Sequence, residues 1–425
     1  MRGSSTTRAT VSCLAAIGLA VAASACSSSQ KGASTGSTNS GTSGSGPGTK
    51  SPGTIVIGNV EDLSGASSVL GIPENQGAQM AVDEINAAGG IKSLGGAKLE
   101  LKKFDTASNP DNASTETQAA IAAHVVAIIG GENSNTVQTG TNISQRAGIP
   151  WLNTGGTSDG ILQRGYQGVF TVDFDSSQFA GGWLQGLGAA ASQVGVTSKT
   201  MTVPYSDSDY GHEFLTAMQG LHNGGFSIKS SFSYPLTTTD FGTVADRAST
   251  TGASVVFNVG YPNDGVSIVK LWGTQYKPAG AKVVGTAGTS CAILAPLGSA
   301  ANGDLCLFAL MPGDKGATPY YAQEFQKYQS TYKAAPIEWN GFTAVYFLAA
   351  ALEKAGSTSG SALDSALHSV SLSPGQGDIY DQPLAFDKTG AITYWPVIIG
   401  QMENGSSTSV YPTAFASAPI KAYGS

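Results

Sequence analysis

The stretch QMAVDEINAAGGI, residues Gln79–Ile91, decides the fold of this 425-residue chain. Met80, Val82 and Ile85 recur at helical spacing with acids between them, a pattern that predicts a helix with one buried face. The two glycines that follow end the helix, because glycine accepts the left-handed backbone conformation that helix ends require.

The segments on either side of this helix have the patterns of strands. Thr54–Val60 (TIVIGNV) is an apolar run of the length of a buried strand, and Lys98–Phe104 (KLELKKF) alternates polar and apolar residues. The order strand, helix, glycine stop, strand predicts one βαβ unit, whose two strands are parallel.

Strand and helix patterns alternate along the rest of the chain, and repeated βα units predict parallel sheets covered by helices. One sheet with so many strands would be unusually wide, so we expect two doubly wound α/β lobes that bind a ligand at the carboxyl ends of their strands. The further predicted strands are 125–130, 149–153, 200–205, 254–259 and 282–285, and the further helices are 115–124, 176–191, 212–223, 264–273, 320–332 and 341–355.

Composition excludes one class of partner. Only 12% of the residues are charged, against about 25% in typical globular proteins. The net charge is -7 and the chain has no basic block to neutralise phosphates. We therefore expect no nucleic-acid partner.

The amino terminus predicts export and anchoring. Arg2 and Arg8 precede the uncharged apolar run Val11–Ala25, which is too short for a comfortable transmembrane helix, so residues 1–25 are predicted to be a signal peptide. The small residues before Cys26 resemble a bacterial lipobox, although Ala23 stands where lipoboxes favour Leu; an ordinary secretory signal is the alternative. Residues 26–53 are rich in Ser, Gly and Thr and predict a flexible tether with an r.m.s. span of about 25–30 Å.

The cysteines fit an exported protein. Cys13 lies in the predicted signal peptide and Cys26 would carry the lipid, which leaves Cys291 and Cys306. Two such cysteines in an oxidising compartment favour a disulfide, with two buried free thiols as the alternative.

Several weak motifs, taken in order with the opening stretch, resemble the leucine/isoleucine/valine-binding family of periplasmic binding proteins, which serve ABC importers. The resemblance runs from Thr54 to about Tyr411. It implies the type I fold, with three crossovers joining lobe one (54–176 and 310–392) to lobe two (177–309 and 393–425). It also implies a monomer without a cofactor that binds a small molecule and docks on permease subunits. The motifs are AGIPWLNTGGT at 147–157, RGYQGVF at 164–170, DSSQ at 175–178, DYG at 209–211, TDF at 239–241 and GYP at 260–262.

Two first-lobe loops place hydroxyl groups and backbone N–H groups between a strand and a helix, where a ligand carboxylate is favoured. By the resemblance, Ser134 and Thr157 are hydroxyl donors and Gly155 is a backbone donor to the carboxylate of the ligand. The alternative is that these groups only cap helices.

The second lobe offers Tyr210 and Tyr261 at strand-to-helix turns, where a tyrosine can pack its ring on a ligand and donate its hydroxyl. Half-buried packing at the surface is the alternative for both. The resemblance adds Phe342, with Trp339 close by, at a position where the family often has a tyrosine.

The amine end of the family's site looks altered. Ala287 holds the place of a glutamate that pairs with the ligand ammonium, and Leu70 holds the place of an aromatic residue. We therefore expect a small organic acid, an amide or an unusual amino acid rather than leucine. Glu132, Asp207 or Asp264 could supply an acid instead, or could be solvated loop charges.

Two other functions stay open. Residues 156–160 (GTSDG) fit the G-x-S-x-G nucleophile elbow of α/β-hydrolases, with Ser158 as the nucleophile. The later histidines, His212, His222 and His368, do not lie in the loop setting of a triad histidine, and no HExxH metal motif occurs, so we expect no enzyme and no metal. A sensor that acts through a partner protein is the second alternative.

Overall fold

The computed structural model describes residues 53–334 and 339–424. The predicted signal peptide, Cys26 and nearly all of the predicted tether lie outside the described residues. In the described ranges, no helix is both long and apolar enough to cross a membrane.

The first sheet has five parallel strands in the order β2-β1-β3-β4-β5. The β1 strand pairs with β2 along its whole length, from Thr54 beside Lys98 to Glu61 beside Asp105. The strands are β1 (Thr54–Glu61), β2 (Lys98–Asp105), β3 (Ala127–Ile129), β4 (Trp151–Asn153) and β5 (Val169–Thr171).

The second sheet has the order β14-β13-β10-β9-β8-β6-β7. Its strands are parallel except for β13 and β14, which run antiparallel to their neighbours at one edge. The strands are β6 (Thr200–Asp207), β7 (Ser227–Pro235), β8 (Val255–Val259), β9 (Val283–Ser290), β10 (Asp304–Leu307), β13 (Ile399–Glu403) and β14 (Ser406–Tyr411); a separate small pair is formed by β11 (Ser371–Leu372) and β12 (Leu384–Ala385).

Helices α1–α4 and α10–α12 accompany the first sheet, and α5–α9 accompany the second. The bounds are α1 (Ser68–Ala87), α2 (Pro110–Ala122), α3 (Ser134–Ala147), α4 (Gly160–Gln163), α5 (Ser176–Gln193), α6 (Asp209–Gly220), α7 (Gly242–Ser249), α8 (Pro262–Thr274), α9 (Cys291–Leu294), α10 (Pro319–Tyr332), α11 (Asn340–Ala355) and α12 (Gly360–Leu367).

The opening stretch forms the second half of α1, as predicted. Met80 and Val82 are buried, whereas Ile85 is only half-buried. Gly90 has a positive φ of 75°, and a Cβ there would overlap the carbonyl of Ala97, so glycine is required at this turn. The helix also begins earlier than its periodicity predicted, at Ser68, so residues that the sequence placed in a loop are helical.

The chain passes between the two sheets three times: after β5, after β10 and after β12. This confirms the predicted architecture of two parallel-sheet α/β lobes. The extents of the two lobes as moving bodies, 54–176 with 310–392 and 177–309 with 393–425, stay predictions. The predicted cysteine pair lies at the start of α9 and in β10, with the Cα atoms 5.1 Å apart and the sulfur atoms within bonding distance.

Candidate ligand-binding cavity

A cavity lies at the carboxyl ends of strands from both sheets. From the first lobe it is lined by residues that follow β1, β3, β4 and β5, and from the second lobe by residues that follow β6 and β8 or lie in β9 and β10. This is the crevice in which doubly wound proteins bind ligands.

Five of the six residues predicted to bind a ligand line this cavity: Ser134, Gly155, Thr157, Tyr210 and Tyr261. The structure therefore brings together residues that are up to 127 positions apart in the sequence (261 minus 134). Whether they contact a ligand stays a prediction.

Ser134 is the first residue of α3. Its Oγ accepts a hydrogen bond from the backbone N–H of Ser158 at 3.1 Å, which leaves the hydroxyl proton to donate toward the cavity. The capping function falls instead to Asn133, whose side chain accepts from the N–H of Asn135. Ser134 thus has the geometry of a donor rather than of a helix cap.

Gly155 lines the cavity, and its function as a backbone donor to a ligand stays a prediction. In this conformation its N–H donates to the carbonyl of Gly131 at 3.0 Å. A Cβ on Gly155 would lie 2.5 Å from Oε2 of Glu132. The Glu132 carboxylate therefore packs on Gly155, and a side chain at this position would have to displace it.

Three carboxylates face the cavity. Glu132 follows β3, Glu74 projects from α1, and Asp173 follows β5. Of the three acids that the sequence offered as an alternative for the amine end, only Glu132 lines the cavity. Glu74 was missed because its segment was predicted to precede the helix; the acid at a helical spacing of four from Leu70 was the available signal.

Two further acids, Glu61 and Asp62, fix the backbone of the loop that carries Glu132. Glu61 Oε2 accepts the N–H of Gly131 at 3.1 Å, and Asp62 Oδ2 accepts the N–H of Asn133 at 2.8 Å. Burial, and next the adjacent Asp62 carboxylate, raise the pKa of Glu61 to about 8. Because the raised pKa favours the neutral form of Glu61, the two neighbouring buried carboxyl groups can fix the loop without full mutual repulsion.

The second lobe contributes an aromatic wall. The rings of Tyr210 and Tyr261 lie 5.6 Å apart between centroids, and Phe174 stacks on Phe179 at 4.1 Å. Tyr210 is 4% exposed, and its hydroxyl has no hydrogen-bond partner among the described residues. Burial, and next the neighbouring Tyr261, raise the pKa of Tyr210 well above its usual value. Its hydroxyl is therefore a neutral group that can donate to a ligand.

Phe342 does not line the cavity, and its predicted contact with a ligand stays a prediction. Its ring is fully buried in the first-lobe core, where its backbone and Cβ lie against Gly77 of α1. Trp339 and Asn340, just before and at the start of α11, line the cavity instead. The Asn340 amide donates to the carbonyl of Thr154 at 2.6 Å, which ties this helix start to the β4 loop.

Ala287, which the resemblance placed at the position of the family's glutamate, does not line the cavity. Ala287 is fully buried in the second-lobe core, because successive residues of a strand face opposite sides. Gly288 lines the cavity and carries no side chain. Leu70 lines the cavity as predicted from its position, although it lies in the first turn of α1 rather than in a loop.

The two other acids considered at the sequence level lie elsewhere. Asp207 contacts the half-exposed His212 at 2.7 Å. Asp264 accepts the backbone N–H of Tyr261 at 3.1 Å and so orients this tyrosine at the start of α8. Burial raises the pKa of Asp264 to about 6.

Ser158 is not placed in a hydrolase triad in this conformation. Its Oγ accepts from Nε2 of Gln138 at 3.0 Å. His212 contacts Asp207, and both ring nitrogens of His368 face backbone carbonyls at 3.2–3.3 Å. Among the described residues, the Gln138 amide and the Glu213 carboxyl group are the hydrogen-bond partners of the Ser158 side chain, and neither is the histidine that a triad needs.

Hydrogen bonds cross the mouth of the cavity. Asp209 in α6 of the second lobe accepts from Asn135 at 2.9 Å and from Gln138 at 3.1 Å, both in α3 of the first lobe. On another side of the cleft, the amide of Asn263 donates to the carbonyl of Ala66 at 3.0 Å. These contacts join the lobes across the cleft, so the structure has the closed arrangement.

Comparisons with known proteins agree with this geometry. Leu/Ile/Val-binding protein homolog 7 of Brucella melitensis biotype 1 is 25% identical over 381 residues, which are 86% of this chain and 94% of that protein. The solved leucine binding protein LivK of Thermotoga maritima has a TM-score of 0.72 at 20% identity and covers 84% of this chain and 98% of its own. A solute binding protein of R. palustris in complex with benzoate has a TM-score of 0.71 at 16% identity, covering 88% and 99%.

These structural likenesses show a shared fold and confirm the type I fold expected from the sequence. The family model described as periplasmic binding protein matches residues 54–406, which is most of the chain. The chain therefore belongs to the periplasmic binding protein family.

Proposed function

We propose that this protein is the extracytoplasmic solute-binding component of an ABC importer, which captures a small polar ligand between its lobes and delivers it to permease subunits. The observation that carries the proposal is the cavity at the carboxyl ends of both sheets, with polar groups from both lobes converging on it. The curated relatives with Leu/Ile/Val-binding names support the same function.

Capture would proceed by hinge closure. In the open form, solvent reaches both halves of the site; ligand contacts made from both lobes favour the closed form, since a ligand shifts the equilibrium toward the state that binds it better. Ser134 and Thr157 supply hydroxyls from one lobe, and Tyr210 and Tyr261 supply rings and hydroxyls from the other. The permease would recognise the closed lobe pair.

Anchoring is part of the proposal. Cleavage of the signal peptide and acylation of Cys26 would hold the folded domain at the outer face of the cell membrane, with residues 26–53 as the tether. Mass spectrometry of the membrane-extracted protein checks this: a diacylglyceryl modification at Cys26 supports it, and an unmodified amino terminus near residue 26 in the soluble fraction contradicts it.

We also propose that Cys291 and Cys306 form a disulfide in the exported protein. In the chain-entropy model, a loop of this size contributes about 3 kcal/mol to the free energy of unfolding. Peptide mapping without reduction should recover the linked peptides, and a double Cys291→Ala, Cys306→Ala variant should unfold at lower urea. Free thiols in the native exported protein would contradict the proposal.

Binding itself can be tested directly. Two of the five tryptophans, Trp339 and Trp395, line the cavity, so ligand binding should change the intrinsic fluorescence. Native mass spectrometry of protein purified without refolding should detect a retained small molecule that re-binds after removal. A protein that retains nothing, and binds no cationic, neutral or anionic solute, would refute the function.

A further inference from the structure

One side of the cavity is formed by the three segments that join the lobes, which follow β5, β10 and β12. The third segment is hydrogen-bonded to the end of β5, where the N–H of Ile392 donates to the carbonyl of Thr171 at 3.2 Å. It is also bonded to the second segment, where the N–H of Phe308 donates to the carbonyl of Ile398 at 2.8 Å. Among the described residues, those that the three segments add to the lining are apolar except for Asp173. The apolar ones, which together form the crossover wall, are Phe174, Phe308, Ala309, Leu310, Trp395 and Pro396.

The topology places the crossover wall on one side of the cleft. In the first sheet β5 is an edge strand, and in the second sheet β10 and β13 are neighbours. The hydroxyl groups of Ser134 and Thr157 follow β3 and β4 instead, and Tyr210 and Tyr261 follow β6 and β8. A ligand that reaches both the hydroxyl groups and the wall therefore needs a polar end and an apolar body.

Tyr380 adds a further aromatic ring beside the wall. Its ring centroid lies 5.1 Å from that of Trp395, with 75° between the ring planes, and both residues line the cavity. Trp395 is half-buried and packs against the apolar cores of both lobes. Aromatic rings pack edge to face or offset at centroid distances of about 4.5–7 Å, so a ring of the ligand can join this cluster in the same way.

Backbone hydrogen bonds hold this surface in place. The N–H of Tyr380 donates to Oδ1 of the buried Asp378 at 2.8 Å. The carbonyl of Ile379, which also lines the cavity, accepts the N–H of Thr318 at 3.0 Å. An apolar surface that is ordered in advance loses little conformational entropy when a matching group binds, and removal of both surfaces from water favours the complex.

We propose that the crossover wall and Tyr380 form a subsite for an apolar ligand body of the size of an aromatic ring, and that Phe308, Tyr380 and Trp395 determine this specificity. The polar end of the ligand would reach the hydroxyl groups at the strand ends. This assignment rests on the proposed function and narrows its substrate class to solutes with a polar end and a ring-sized body.

Ligands with the same polar end and different bodies give the sharpest test. Calorimetric titrations would compare three pairs in which a phenyl group takes the place of an isopropyl group: leucine with phenylalanine, isovalerate with phenylacetate, and isovaleramide with phenylacetamide. For every polar end that binds, we expect the phenyl compound to bind about fivefold more tightly or better. Equal or tighter binding of the isopropyl compound would overturn the inference.

Ala309→Leu tests the subsite from the protein side. Ala309 is half-buried and lines the cavity, so a longer side chain there takes up space along the crossover wall. The variant should weaken the phenyl compounds about tenfold or more and the isopropyl compounds less than about threefold. Ala119→Leu makes the same change at an exposed position of α2 and is the matched control, which should leave all affinities unchanged.

Trp395→Ala removes an aromatic surface instead of adding bulk. It should reduce the preference for phenyl over isopropyl to less than about twofold, since the ring of the ligand loses its packing partner. Thermal melts of each variant separate a change in the subsite from loss of the fold. A preference for phenyl that folded Ala309→Leu and Trp395→Ala proteins both keep would contradict the assignment.

The outcomes distinguish the two proposals. If none of the six compounds binds, the molecule retained in native mass spectra decides. A retained solute with a ring-sized body, bound more weakly by Ala309→Leu, supports the subsite, whereas a retained solute without such a body overturns it and leaves solute binding in place. A protein that binds none of the compounds and retains no solute would overturn both.

Discussion

Replacing Asp209 with alanine should open the cleft. Asp209 Oδ2 accepts two hydrogen bonds from the opposite lobe, from Asn135 at 2.9 Å and from Gln138 at 3.1 Å. These groups are exposed and form hydrogen bonds with water when the lobes separate. Each hydrogen bond therefore contributes only about 0.5–1 kcal/mol to the free energy of closure. Losing both costs about 1–2 kcal/mol, a factor of roughly 5–30 in the ratio of closed to open molecules.

The matched control is Asp111→Ala. Asp111 also lies in the first turn of a helix, α2, and has the same favourable interaction with the helix dipole. In the described structure its side chain makes no hydrogen bond across the cleft. Both variants should therefore lose similar helix stability, and only the change at Asp209 should shift the lobes.

The assay is energy transfer between dyes on Gln118→Cys and Leu236→Cys, which are exposed positions on opposite lobes. In the ligand-free protein, Asp209→Ala should lower the ratio of closed to open molecules by the factor given above, which would be seen as a larger population with low energy transfer. Where the open form already dominates, the affinity for the ligand should fall by the same factor. An unchanged distance distribution, or an equal change with Asp111→Ala, would refute the reasoning.

Two further predictions concern stability. Gly140→Ala should lower the free energy of unfolding by about 1–3 kcal/mol in urea titrations, because the added Cβ overlaps the indole ring of Trp151. Gly188→Ala in α5, where the added Cβ meets open space, should instead raise the free energy of unfolding by about 0.5–1 kcal/mol. Equal effects of the two changes would contradict the packing argument. Burial, and next the neighbouring Glu84, raise the pKa of Glu324 from 4.5 to about 8, so the folded state keeps a proton that the unfolded chain has lost. The free energy of unfolding should therefore fall as pH rises from about 5 to 8, and Glu324→Gln should flatten that slope; a slope unchanged in the variant would show that another group causes it.

The sequence predicted the elements whose signals are local. The end of α1 just before Gly89-Gly90 and the buried run of β1 depend on residue spacing within a few turns, and both were placed correctly. The start of α1 was missed because Pro73 and the polar residues before it resemble a loop, although the packing of the helix on the first sheet and on α11 outweighs that weak preference. Glu74 reaches the cavity only as a result of that longer helix.

The predicted site residues divide in the same way, into those with a local sequence signal and those without one. Ser134 and Thr157 follow buried strands directly, so their position at the sheet edge could be predicted. Phe342 and Ala287 were assigned by resemblance alone, and a displacement of one or a few residues exchanges a cavity position for a core position. The face of a helix or strand on which a side chain lies depends on the residue at which the element starts, and the sequence pattern locates that residue least well.

The repeated passage of the chain between the sheets has a consequence for biosynthesis. Strands β1–β5 emerge first from the ribosome or the export channel, but α11, which covers α1 and the first sheet, follows about 170 residues after β5 ends (340 minus 171). Ser93 Oγ, for example, donates to the carbonyl of Leu352, 259 positions later. The apolar face of the first lobe is therefore uncovered while β6–β10 are synthesised. We expect this face to be prone to aggregation until α11 has been made.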